Sequence, residues 1–205
     1  MADTVIFGGS FNPVHNGHVA LVRSLLMHPC VQDAVIVPAA CSPFKTTRGL
    51  ASNQERFHMC QLAFGDMERV SISDIEFSLS APSFTIHTLL AMQLQHPEWD
   101  LGLLVGADAI MSFDQWKDYR EILRIATLYT AVREEYGTRE LEQKINKLER
   151  EGARVELLNM PRIDVSSTQI RKRIQNGISI VEFVPKPVAE YILSQGLYGG
   201  EPGGR

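Results

Sequence analysis

Short apolar runs rich in β-branched residues alternate along this chain with segments of helical spacing, and no other feature constrains the fold as strongly. Thr4-Val5-Ile6-Phe7 ends in Gly8-Gly9, the pattern of a buried strand entering a tight turn. From Gly17 to Met27 the apolar residues Val19, Val22, Leu25 and Leu26 recur at helical spacing, and His28-Pro29 closes the run. The unit then repeats. Ala34 to Val37 reads as a strand and Pro38 to Leu50 as a long loop. Asn53 to Phe64 reads as a helix, with Ser52 and Glu55 forming a capping box at its start. Val70 to Ser73 predicts a weaker strand, Phe84 to Gln95 a helix, and Leu101 to Val105 a third clear strand. Leu128 to Val132 and Val155 to Leu158 read as strands around a solvated, densely charged helix from Arg139 to Arg150. Helices near Thr168 to Gln175 and Pro187 to Leu193 complete the pattern.

Strands that are continuous apolar runs, separated by helices, predict a parallel sheet covered on both faces. The expected fold is α/β, a doubly wound parallel sheet of Rossmann type. It forms one domain over residues 1–198 with a small C-terminal helical part, and Gly199 to Arg205 is a disordered tail. Ligands of such sheets sit beyond the carboxyl ends of the strands, so the loops after Phe7, Val37, Val105 and Val132 are expected to line the site.

Composition narrows the ligand. A formal charge of −4 over 205 residues argues against wrapping nucleic acid, which needs a concentrated basic face. No apolar run approaches the roughly 20 residues of a membrane span. Cys30, Cys41 and Cys60 form no CxxC pair, which indicates neither a disulfide framework nor a zinc ribbon. A strand begins within a few residues of Met1, leaving no room for an export signal. The expectation is a cytoplasmic protein with small anionic ligands, and homo-oligomerisation is left open.

The chain contains neither G-x-x-x-x-G-K-[ST] nor, after its first strand, G-x-G-x-x-G, so a P-loop kinase and a standard dinucleotide oxidoreductase lose ground. The first strand leads instead into Gly8-Gly9-Ser10-Phe11-Asn12-Pro13-Val14-His15-Asn16-Gly17-His18. Gly8 and Gly9 let a ligand approach the backbone, the next helix presents free N–H groups at its positive end, and His15 and His18 can donate to phosphate. The alternative is a simple turn with a half-buried or metal-binding histidine pair; position after the first strand of a parallel sheet favours the phosphate reading.

The second constellation is Val165-Ser166-Ser167-Thr168-Gln169-Ile170-Arg171-Lys172-Arg173. Ser166 with Gln169 fits a capping box. Three cations in early helical turns would oppose the macrodipole unless an anion sits there, which points to polyphosphate, with Arg171 as its contact and Lys172 and Arg173 as a solvated face.

The first of these segments resembles the GxFxPxHxGH signature, and Ser166 to Arg171 the SSTxIR signature, of the nucleotidyltransferase superfamily related to class I tRNA synthetases. The chain is further similar to bacterial nicotinate-nucleotide adenylyltransferases at Pro82 to Leu89, Gly106-Ala107-Asp108, Trp116 with Glu121-Ile122-Leu123, and Pro185 to Leu197. The resemblance implies catalytic roles on phosphate for His15, His18, Lys45 and Arg171. It implies ATP contacts at Gly8, Gly9, Ser10, Phe11, Gly106, Asp108, Ser166, Ser167 and Thr168. Trp116 would stack on the pyridine ring, and the backbone around Phe84 and Thr85 would meet its carboxylate. Arg133 follows a predicted strand and could pair with a substrate anion. Asn12, Phe44 and Phe84 stand where that family often has Asp, His and Tyr.

The reaction implied is attack by the phosphate of nicotinate mononucleotide on the α-phosphorus of ATP, with Mg²⁺ bridging ATP oxygens and no dedicated metal ligands on the protein. Such a reaction is positioning plus electrostatics, because a phosphate dianion needs no general base. Two alternatives stay open at this level: transfer of an adenylyl or cytidylyl group to another phosphorylated acceptor, such as phosphopantetheine or nicotinamide mononucleotide, and a non-catalytic ATP-binding sensor.

Overall fold

A computed structural model of the chain describes residues 3–40, 51–131, 138–160 and 163–199. Its six strands are β1 (Asp3–Gly9), β2 (Val31–Pro38), β3 (Val70–Ile72), β4 (Leu101–Val105), β5 (Ala126–Ala131) and β6 (Val155–Leu158). They form one sheet in the order β3-β2-β1-β4-β5-β6, with every pair parallel. The helices are α1 (Asn16–Leu26), α2 (Asn53–Phe64), α3 (Thr85–Gln95), α4 (Ala107–Met111), α5 (Tyr119–Ile125), α6 (Thr138–Arg150), α7 (Ser167–Gln175) and α8 (Lys186–Ser194).

Strand pleating sorts the apolar runs onto two faces. Val5, Phe7, Ala34 and Ile36 enter a core shared with α1, α2, α7 and α8. Ile6, Val35, Val37, Leu103 and Val105 enter a second core shared with α3, α4, α5 and α6. A side chain such as Leu25, with 0% of its surface exposed, contributes on the order of 1.5–3 kcal/mol by leaving water. Gly102 is the one β4 position where a side chain has no room: a Cβ there would lie 2.7 Å from Val5 Cγ2 and 2.8 Å from the Tyr129 ring.

β1 pairs with β2 on one side and β4 on the other, Ile6 standing opposite both Val35 and Leu103. The winding therefore reverses between β1 and β4, and the loops leaving their carboxyl ends diverge there, opening the crevice in which doubly wound sheets bind ligands.

Several bounds differ from the sequence expectation. β5 begins at Ala126 rather than Leu128, because α5 runs into it with no intervening loop and the Ala126 N–H still donates to the Ile122 carbonyl. The 3₁₀ turns at Ile75–Ser78 and Phe113–Gln115, with the five-residue α4, are too short to show a periodic stripe. The expected tail from residue 200 onward lies outside the described residues.

Candidate active site

The loop leaving β1 is shaped by its glycines and by Phe11. A Cβ on Gly8 would meet nothing within 4 Å, whereas one on Gly9 would come within 2.9 Å of the Phe11 ring. Gly8 therefore faces open space, and Gly9 is small to make room for Phe11. The Phe11 side chain is 1% exposed and lies edge-on to Phe7 and to His18, with centroids at 5.3 and 5.1 Å. Although grouped by sequence with the ATP contacts, Phe11 places its ring in the core, beneath the site.

His15 occupies the N-cap of α1 and His18 its third position. The His15 N–H donates to His18 Nδ1 at 3.1 Å, and the two rings stack at 3.6 Å with 22° between their planes. Because Nδ1 accepts, the neutral His18 ring carries its proton on Nε2, the tautomer suited to donating to a phosphate oxygen. The positive end of the α1 dipole lies beside this pair, but its N–H groups are largely engaged: that of Asn16 donates to the Phe183 carbonyl, and those of His18 and Val19 to the His15 carbonyl.

The start of α7 is fastened onto the same loop. A Cβ on Gly17 would lie 3.0 Å from Val165 Cγ1, so a side chain there would push Val165 back from the loop. The Ser167 hydroxyl donates to the Pro13 carbonyl at 2.9 Å, and Arg171 donates from one nitrogen to the Asn12 carbonyl at 2.7 Å and from another to Thr168 Oγ1 at 3.1 Å. Ser166 caps the helix, its hydroxyl accepting from the Gln169 N–H. The expectation of three early-turn cations is corrected here. Lys172 and Arg173 lie in the last turn of this nine-residue helix, where the macrodipole favours cations. Arg173 donates to the Ser179 carbonyl and covers the Phe183 ring, so neither cation requires an anion; the phosphate argument rests on Arg171 alone.

Two residues that carried no sequence signal hold this end together. Arg56 of α2 is 5% exposed and donates to the carbonyls of Ser10 (2.8 Å), Ala39 (2.5 Å) and Ala51 (3.3 Å) and to Asn53 Oδ1 (2.6 Å). Burial depresses its pKa from the ordinary arginine value, but the group stays charged. Tyr198, beyond the last helix, donates its hydroxyl to Asn12 Oδ1 at 2.6 Å, and the Ala51 N–H donates to the same oxygen. Burial raises the Tyr198 phenol above its usual range, keeping it a donor. Lys45, Phe44 and Arg133 lie outside the described residues.

Between β1 and β4 a cavity of about 310 Å³ opens. Gly8, Gly9 and Ser10 form one wall, and Phe84, Thr85, Gly106 and Trp116 from the sequence-predicted set line the rest. Phe84 is the N-cap of α3, with no side-chain capping bond. Trp116 packs against Phe113 at 5.0 Å. Asp108, in the first turn of α4, is exposed and does not line the cavity. Glu76, Thr88 and Lys117 also line it and were not read from sequence. Glu76 is 5% exposed and accepts from the Thr88 hydroxyl at 2.7 Å and the Ala40 N–H at 3.2 Å. Thr88 could have been noticed as a polar residue on the buried face of α3, and Lys117 as the neighbour of Trp116; Glu76 sits in a 3₁₀ turn with no periodicity to betray it.

The loop that runs on to His15 and His18 and the cavity between β1 and β4 thus share the Gly8–Ser10 wall, which defines a class: a doubly wound domain with the crevice in which such sheets bind ligands. The cytidylyltransferase-like family model matches residues 6–173. The probable nicotinate-nucleotide adenylyltransferase of Rhodopirellula baltica is 35% identical over 198 residues, covering 94% of this chain and 92% of its own. That of Lachnoclostridium phytofermentans is 31% identical over 194 residues, covering 94% and 97%. Among solved structures, Plasmodium falciparum nicotinic acid mononucleotide adenylyltransferase complexed with NaAD superposes with a TM-score of 0.80 at 18% identity, over 97% of this chain and 98% of that one. The chain belongs to the cytidylyltransferase-like family, among its nicotinate-nucleotide adenylyltransferases.

Proposed function

We propose that this enzyme transfers the adenylyl group of ATP to nicotinate mononucleotide, forming the deamido dinucleotide precursor of NAD and releasing pyrophosphate. The observation that carries this reading is the shared wall: Gly8, Gly9 and Ser10 border the cavity, while the same loop runs on to His15, His18 and the carbonyls held by Arg171. A pyridine nucleotide in the cavity and a triphosphate at the start of α1 then meet at Gly8–Ser10.

In the reaction a phosphate oxygen of the mononucleotide attacks the α-phosphorus in line, and the bond from that phosphorus to the oxygen of the β-phosphate breaks. His18 Nε2–H and His15 donate to the phosphates, and Arg171 and Lys45 add positive charge at the leaving pyrophosphate. Ser166, Ser167 and Thr168 shape the start of α7 against the triphosphate. Gly106 and Asp108, at the end of β4, meet the nucleoside of ATP. Trp116 stacks on the pyridine ring while the N–H groups near Phe84 and Thr85 meet its carboxylate, and Arg133 provides a further cation beyond β5. ATP would enter as its complex with a divalent cation, which we assign as Mg²⁺ and which would supply further charge neutralisation while asking few ligands of the protein. Histidines and a guanidinium fit that arrangement, since they can donate to phosphate oxygens. Cys30 and Cys60 are free thiols, in keeping with a cytoplasmic setting. No helix among the described residues is long and apolar enough to cross a membrane.

The test is pyrophosphate release with ATP and Mg²⁺ against nicotinate mononucleotide, nicotinamide mononucleotide and phosphopantetheine. Turnover is expected with nicotinate mononucleotide above the other two. Silence with both pyridine nucleotides refutes the assignment, and turnover with phosphopantetheine alone transfers it to another acceptor.

A further inference from the structure

The cavity is lined by one carboxylate, Glu76, and one ammonium, Lys117, and the adenylyl-transfer chemistry gives the ammonium no role. Lys117, an exposed residue, follows Trp116 on an extended backbone, and both residues line the cavity. The Lys117 ammonium lies 3.3 Å from His87 Nε2 and 4.7 Å from the centre of the Phe84 ring. Among the described residues no carboxylate approaches it within 4.0 Å. An imidazole nitrogen and an aromatic face hold the ammonium in place without neutralising it. Beside it begins α3, whose N-cap Phe84 contributes no side-chain acceptor. The Phe84 carbonyl takes the N–H groups of His87 and Thr88, and those of Thr85 and Ile86, in the first turn, have no acceptor within the helix. Ammonium and helix terminus together make a seat for an anion.

The opposite charge in the cavity is already engaged. Glu76 accepts from Thr88 through one oxygen and from Ala40 through the other, and its negative charge favours a cationic ring in the cavity over a second carboxylate beside it. A pyridinium ring bearing a carboxylate has the matching polarity, with cation toward Glu76 and anion toward Lys117. A carboxamide offers only a dipole to the same ammonium.

We infer that Lys117 is the specificity-determining residue that selects the acid form of the pyridine mononucleotide over the amide. The inference rests on the adenylyl-transfer reading and adds to it the residue that sets acceptor preference. Lys117 acts on binding of the acceptor and leaves the attack on phosphorus to other groups.

The experiment measures kcat/KM with nicotinate and with nicotinamide mononucleotide, at saturating ATP and Mg²⁺, for the parent enzyme, Lys117→Met, Lys117→Arg and Lys117→Glu. Binding of each mononucleotide is followed in parallel by calorimetry. A charge-assisted hydrogen bond lost from this position lowers the acid-to-amide ratio in Lys117→Met by about 10- to 100-fold, through KM for the acid. The kcat/KM for the amide stays within about threefold of the parent value, which also shows an intact site, since the ammonium gives the amide so little. Lys117→Arg keeps the preference and Lys117→Glu reverses it. An unchanged ratio in Lys117→Met, in an enzyme still active on either mononucleotide, overturns the inference alone. Absence of turnover in the parent with both mononucleotides overturns the adenylyl-transfer reading and this inference together.

Discussion

The two ends of the site are built on opposite principles. At the proposed phosphate end most of the hydrogen bonds are made by or to backbone: the His15 N–H to His18, Ser167 to the Pro13 carbonyl, Arg171 to the Asn12 carbonyl, and Arg56 to three carbonyls at once. At the acceptor end, side chains from distant parts of the chain converge on a cavity: Glu76 before α3, Thr88 within it, and Trp116 and Lys117 after α4. A triphosphate looks the same in every nucleotide, so its site can be rigid, main-chain based and compact in sequence. An acceptor differs between related enzymes, and a cavity of side chains can change with it while the phosphate end stays intact.

Four experiments bear on that contrast. The largest effect is expected for His18→Ala, which removes the donor proposed for the transferring phosphates: kcat falls by about 10²- to 10³-fold with ATP affinity little changed, read by steady-state kinetics and calorimetry. Equal losses in turnover and in ATP affinity would make the loop a binding element only. Next, Arg56→Met leaves the carbonyls of Ser10, Ala39 and Ala51 without their common donor. The expected cost is about 3 kcal/mol in urea denaturation, with weaker ATP binding, and Arg56→Lys is destabilised as well because one ammonium cannot span the three acceptors. A stable Arg56→Met with full ATP affinity would show that the phosphate loop holds its shape unaided.

Trp116→Ala tests the acceptor end. Loss of stacking raises KM for the mononucleotide by about 10- to 100-fold and leaves KM for ATP unchanged; parallel increases in both would erase the division between the ends. The smallest effect is expected for Asp114→Asn, in the 3₁₀ turn that leads to Trp116. Asp114 pairs with Lys144 at 2.5 Å and Lys147 at 2.9 Å, and hydrogen bonding to these two holds its carboxyl at about 2. A pKa depressed in the folded state stabilises above the unfolded value of about 3.9 and loses that contribution as pH falls toward about 2. The substitution therefore costs less than about 1 kcal/mol near neutral pH, since the pair is partly solvated, and the difference in urea midpoint closes between about pH 4 and pH 2. A difference that persists at pH 2 assigns the effect to packing under Trp116 instead of charge.

The sequence by itself determined the α/β class, because hydrophobic period is a local property. Four or five mostly apolar residues closed by Gly or Pro, as in Thr4 to Phe7, Ala34 to Val37 and Leu101 to Val105, read as a buried strand, and the Ser52 to Glu55 box marks its helix unaided. It also singled out the two short segments proposed to hold phosphate, Gly8 to His18 and Ser166 to Arg171, which the structure docks on one another. What only the tertiary structure decided is what those segments lean on and what stands across from them. Arg56 and Tyr198 reach the loop from 46 and 186 residues away, and Lys172 and Arg173 proved to be ordinary last-turn cations once α7 had its bounds. The acceptor cavity exists because β1 and β4 are neighbours, a pairing that no local pattern encodes. Its charged residues Glu76 and Lys117 gain their meaning from facing one space, and residues 41 positions apart in a chain share a space only after the sheet has formed.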